Sequence, residues 1–198
     1  MHTVTATHSR FATLSGFAQT LTGRILIGLA ATVVVAAAAH VALPLPFTPV
    51  PLTLQPLAVL AVGLALGPVD GLLAMFAYLA EGAAGLPVFS PTGPGGLLQL
   101  LGPTGGFLMA YPLVAAIAGG VVRPLARKLS RFAAAAVACV AATNVLFLCG
   151  AGWLMYLGHL SLHQTLIAAV LPFVPGEAIK IAVASGVYSA VIPARRIQ

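Results

Sequence analysis

The chain has 198 residues, 60% of them hydrophobic and only 6% charged, with a formal net charge of +6 and a mean hydropathy of +1.07. A soluble domain of this size would lack the polar surface it needs, so the composition excludes one and indicates an integral membrane protein. The basic excess does not indicate nucleic acid, because the nine Lys and Arg residues form no solvated stripe with interleaved aromatics.

Residues 1–24, rich in Ser and Thr, read as a cytoplasmic N-terminal segment. Six apolar segments follow at about 25–43, 54–67, 69–86, 105–122, 132–157 and 175–192. They are too long or too poorly alternating for barrel strands and predict helices. The fold class is therefore all-α, with six transmembrane helices in one domain over 25–192. Residues 193–198 read as a cytoplasmic tail. The "AAAAH" at 36–40 leaves a cleavable signal peptide as the rival reading of the first segment, whose length favours retention.

Charge parity supports the count of six. Arg10 and Arg24, then Arg123, Arg127, Lys128 and Arg131, then Arg195 and Arg196 all fall on the cytoplasmic side when the N-terminus is inside. The outer side receives most of the irregular sequence: 44–56, 85–106, 157–164 and 171–176. Gly and Pro at this density call for special backbone geometry, and non-helical backbone at membrane depth persists where it is buried or lines a cavity. These segments are apolar, which favours a lid or pocket wall over disorder. On the inner side, Asp70 in "GPVDG" reads as a helix cap.

One basic residue escapes the clusters. Lys180 lies in "LPFVPGEAIKIAVA", three residues after Glu177. Pro175 suits the first turn of a helix, so Glu177 falls where the helix dipole favours a negative charge, and Lys180 shares its face one turn deeper. Ionisable groups at such depth cost at least about 2.5–3.5 kcal/mol on insertion scales and are functional by default. A pair that only pins the helix is the bland alternative. Asn144, in mid-helix, can bond across helices or to a ligand. Glu81, near the outer end of the third helix, is either a pocket group or an interfacial carboxylate. Thr53, Gln55, Gln99 and Thr104 are further pocket or cap residues, and Gly105 belongs to a "GPTGG" turn able to offer N–H groups to an anion.

Enzyme chemistry finds no footing. Cys139 and Cys149 lie ten apart on one predicted helix, too far for a disulfide. The five His residues show no zinc-binding pattern, His159 and His163 falling in a predicted loop, and no Gly-Lys is present for a phosphate-binding loop.

The segments "PFTPVPLTLQ", "YLAEGAAGLPVFSPTGPGG", "LLGPTGGFLMAYPL" and "LPFVPGEAIKIAVA" together resemble the signature of the BioY family, the biotin-binding S components of energy-coupling factor (ECF) vitamin transporters, over about residues 44–184. The resemblance implies an outward-facing biotin pocket in a six-helix protein of the bacterial inner membrane, with cytoplasmic termini and a lid after the first helix. Glu177 and Lys180 match the family's acidic and basic positions, with Glu in place of the more usual Asp. Biotin is the ligand and no cofactor is implied. A carboxylate can accept the ureido N–H groups and Lys180 can donate to either polar end, while Phe47, Tyr78, Phe89 and Tyr111 would line the apolar part. The implied partners are a transmembrane coupling protein and two ATPase subunits. They would be met through Gly28, Thr32 and Ala36 of the first helix, where family members often present Ala-x-x-x-Ala. The alternatives are an intramembrane structural or assembly protein with a stabilising Glu–Lys pair, or a stand-alone secondary transporter.

Overall fold

The computed structural model describes residues 19–191. The tail at 193–198 and most of the segment at 1–24 lie outside the described residues, as do Arg10, Arg195 and Arg196.

Helix α1 (Leu21–His40) starts where Thr20 accepts a hydrogen bond from the Gly23 N–H at 3.0 Å, a side-chain cap for a donor with no helical partner. After it, β1 (Ala42–Leu43) pairs antiparallel with β2 (Leu52–Thr53), closing the Pro-rich residues between them into a loop. Helix α2 (Gln55–Leu66) then runs to Gly67, whose φ of 88° turns the chain directly into α3 (Pro68–Ala83). A side chain would be strained at that angle, and Pro68 opens the next helix at no hydrogen-bond cost. A short α4 (Gly96–Leu101) leads to α5 (Gly105–Leu125), and α6 (Arg131–Gly158) begins at Ser130, which caps the Ala133 N–H. Cys139 and Cys149 both lie on α6 as free thiols, the first buried and the second exposed.

The segment 157–164, read from sequence as irregular, is partly helical. Helix α7 (Leu162–Ala169) is started by a capping box, with Ser161 Oγ accepting from Gln164 N and Gln164 Oε1 accepting from Ser161 N at 2.9 Å. This satisfies two terminal donors reciprocally. Helix α8 (Val174–Val191) follows after a bend of 49°.

Helix α5 packs on α2, α3 and α6; α8 packs on α2 and α6; α1 lies against α2 and α3. Where lipid surrounds a protein, apolar burial gives little reason for helices to associate, so small residues and close packing carry the association. Here Gly63 of α2 crosses Ala115 of α5 so closely that a Cβ on Gly63 would overlap the Ala115 carbonyl, and Gly119 sits against Gly63 and Gly67 in the same way. Val59, Met75, Tyr78 and Val114 are fully buried around this crossing.

By length and composition, α1, α5 and α6 can each cross a membrane, and α7 with α8 makes a fourth if the bent pair counts as one span. Helix α2 is apolar but only 12 residues long. At the α2–α3 turn, the Arg123 guanidinium covers Gly67 and Arg24 of α1 forms an ion pair with Asp70. Asp70 is therefore not the expected cap. Gly67 holds the N-cap position and makes no side-chain cap, while Asp70, in the first turn, ties α3 to α1. The irregular segments collect at the opposite end.

Candidate functional site

The most polar buried cluster lies at that opposite end. Helix α8 begins with Glu177 N donating to Phe173 O at 2.8 Å, so Glu177 stands in the first turn and Lys180 one turn deeper. Both are buried, at 4% and 5% exposure. Lys180 Nζ donates to Glu177 Oε1 at 2.6 Å. Glu177 Oε2 has no partner, and among the described residues only Thr143 Oγ1 shares that condition as a buried side-chain polar atom. A buried acceptor left unpaired costs roughly 1–3 kcal/mol and more when charged, so the free oxygen marks a place where a donor is wanted.

Glu177 and Lys180 line a cavity whose free space is about 50 Å³, room for a few waters. One wall is the loop and strand before α2, with Val50, Pro51 and Thr53; Thr48 Oγ1 clasps this loop to α7 by donating to Ala168 O at 2.6 Å. Gln55 opens α2 beside it. Ser90 and Gln99 come from the connection between α3 and α5, and Gln99 is held by its own turn, donating to Ser90 O at 3.3 Å and accepting from Gly95 N at 3.1 Å. Thr104, just before α5, and Phe107 and Tyr111 of α5 line the cavity opposite Leu146 and Phe147 of α6, with Phe173 also in the wall. The wall is thus largely apolar and aromatic, with a few fixed polar groups, the composition of a small-molecule site.

The structure brings together Glu177, Lys180, Gln55, Thr104 and Tyr111 from the residues singled out in the sequence, together with Thr53 and Gln99. Tyr78 and Phe89 lie behind the wall, their rings edge to face at 5.5 Å, and Tyr78 accepts from Gln55 Nε2 at 2.6 Å while donating to Val88 O at 2.7 Å. Four residues are placed elsewhere. Phe47 is 60% exposed on the loop. Asn144 is on the exposed face of α6 and bonds its own Val140 O at 3.0 Å. Glu81 accepts from Thr32 at 3.0 Å, joining α3 to α1. Gly105 is a packing position, since a Cβ there would overlap the Leu100 carbonyl. The row Gly28, Thr32 and Ala36 also turns inward: Gly28 approaches Ala74, Thr32 is buried on Glu81, and Ala36 packs on the core. Gly28 also lines an open groove between α1 and α3, beside Leu29, Leu73 and Ala74. Phe107, Leu146, Phe147 and Phe173 had no signal in the sequence, because an apolar residue in an apolar chain does not reveal which way it faces.

Residues 8–196 match the model of the BioY family. A protein from Pyrococcus horikoshii named "Probable biotin transporter BioY" is 37% identical over 150 residues, covering 76% of this chain and 82% of that one. The "Biotin transporter BioY" of Rhodobacter capsulatus is 36% identical over 166 residues, covering 80% and 86%. A crystal structure of the S component for biotin from an ECF-type ABC transporter superposes with a TM-score of 0.78 over 86% of this chain and 90% of its own, at 24% identity.

Proposed function

The chain belongs to the BioY family, and on that premise we propose that it is the membrane-embedded biotin-binding subunit of an ECF-type transporter, a transport protein and not an enzyme. The observation that carries this is the buried Glu177–Lys180 pair with one carboxylate oxygen unpaired at the wall of an apolar cavity. Biotin offers what such a site asks for: ureido N–H donors for Glu177, a carbonyl or carboxylate acceptor for the remaining Lys180 protons, and an apolar bicycle and chain for Phe107, Tyr111 and Phe147.

In this reading α1, α2, α3, α5, α6 and α8 cross the bacterial inner membrane, with both termini and the basic end cytoplasmic and the cavity facing outward. Helix α2 rises only about 18 Å at 1.5 Å per residue, and its many buried residues support a place inside the bundle, shielded from lipid. The cavity is far below the roughly 300 Å³ at which ligand pockets begin, so biotin enters by lifting the loop that Thr48 clasps. Inward delivery is energised by a coupling protein and two ATPase subunits, docking on α1 beside the open groove that Gly28 lines.

Native mass spectrometry of the detergent-solubilised chain tests the binding role. Biotin is expected as the retained or added ligand at one equivalent, and a chain that takes up none when titrated with it would overturn the reading.

A further inference from the structure

Gln55, Tyr78 and Val88 form a hydrogen-bonded chain whose polarity is fixed by chemistry. The Val88 carbonyl can only accept, and Tyr78 OH lies 2.7 Å from it, so the single Tyr78 proton is committed there. What remains on that oxygen is acceptor capacity. Gln55 stands 2.6 Å away and must therefore turn its NH₂ group to Tyr78, since the opposite orientation would set two acceptors against each other without a proton. All of this is buried, Gln55 at 3% and Tyr78 at 0% exposure. The amide oxygen is left on the side of Thr53, whose hydroxyl is 3.5 Å away, at the outer limit of a hydrogen bond. Gln55 and Thr53 line the cavity and Tyr78 does not.

We propose that Tyr78 is a positioning residue: from behind the wall it forces Gln55 to present a carbonyl acceptor to the cavity, making Gln55 a reader of ligand N–H groups. The inference rests on the function proposed above and deepens it. Biotin's ureido ring carries two N–H donors, and the cavity then holds two separate neutral or anionic acceptors for them, Gln55 Oε1 and the unpaired Glu177 Oε2. An amide free to rotate would serve a donor or an acceptor equally; the locked one excludes ring atoms that cannot donate.

The test compares biotin with the two cyclic-carbamate analogues in which one or the other ureido N–H is replaced by oxygen, bound to the full chain in detergent. The unaltered chain should disfavour both analogues by about tenfold or more relative to biotin, the value of one hydrogen bond near 1.4 kcal/mol. In Tyr78→Phe the amide can turn its NH₂ to the ring oxygen, so the penalty for one analogue should shrink about tenfold while that for the other stays. Gln55→Met, which leaves Tyr78 intact, should relax the same analogue and carries the comparison if Tyr78→Phe does not fold. A purely structural Tyr78 would lower melting temperature and leave the ratios alone. Unchanged ratios in a folded Tyr78→Phe, or in Gln55→Met, overturn the proposal while biotin binding stands. Failure of the unaltered chain to bind biotin overturns the functional reading and takes this inference with it.

Discussion

A lysine and a carboxylate three residues apart can stabilise a helix or hold a ligand, and the two roles separate in a double substitution. Lys180→Met alone leaves Glu177 buried without its cation and should cost about 3–5 kcal/mol of stability. Adding Glu177→Gln removes both buried charges and should restore much of that. If the pair serves biotin, the recovered fold still binds at least about 100-fold more weakly, because two charge-assisted hydrogen bonds of roughly 1.5–3 kcal/mol each are gone. Titration beside thermal unfolding decides it: a stable double mutant with near-native affinity returns the pair to a structural role. His159 offers a smaller residue-scale case. It ends α6 at φ 48°, the one left-handed non-glycine position among the described residues. His159→Gly should raise stability by about 1 kcal/mol, read as a higher melting temperature with unaltered biotin binding.

At the scale of elements, the molecule depends on one close crossing. Helices α2 and α5 touch through Gly63, Gly119 and Ala115, where no room remains for a Cβ against backbone. Gly63→Ala or Gly119→Ala should therefore destabilise by about 1–3 kcal/mol, although alanine favours the helix. Gly186 of α8 is the control, with nothing within 4 Å of an added Cβ; Gly186→Ala should be neutral or stabilising by up to about 1 kcal/mol. Melting temperatures in one detergent compare them, and a harmless Gly63→Ala would show that the crossing can relax. Through this crossing α2 is seated so that Gln55, its first residue, reaches the cavity wall.

For the whole molecule, the separation of a basic end from a cavity end predicts orientation. Ser130 and Ser161 are exposed caps at the starts of α6 and α7. With Cys139 and Cys149 replaced, a cysteine at 161 should react with an impermeant thiol reagent in sealed cells and one at 130 should not. Labelling at 130 would contradict the six-span arrangement. Energy coupling belongs to the same scale: the chain alone in liposomes should bind biotin without hydrolysing ATP, and hydrolysis by the purified chain would contradict the proposed dependence on partner ATPases.

The membrane character was readable from the linear chain for a physical reason: insertion depends on summed hydropathy, a property of sequence, and flanking charge yields the orientation predicted above. The approximate places of the six apolar helices and the placing of Glu177 and Lys180 on one helical turn follow from local periodicity and Pro175. The same rules were silent on direction. In a chain that is 60% hydrophobic, polar contrast does not tell a helix which side is inward. Asn144 consequently turns out onto the exposed face, Glu81 is taken by Thr32 of α1, and Gly28 lies beside Ala74 of α3. Gln55 and Tyr78, 23 residues apart, become a single polar device only when α2 and α3 pack. The sequence by itself determined that the chain belongs in a membrane and which ionisable and polar groups lie within its apolar segments. Tertiary packing decided which of those groups share a cavity, because that depends on how neighbouring helices rotate into contact.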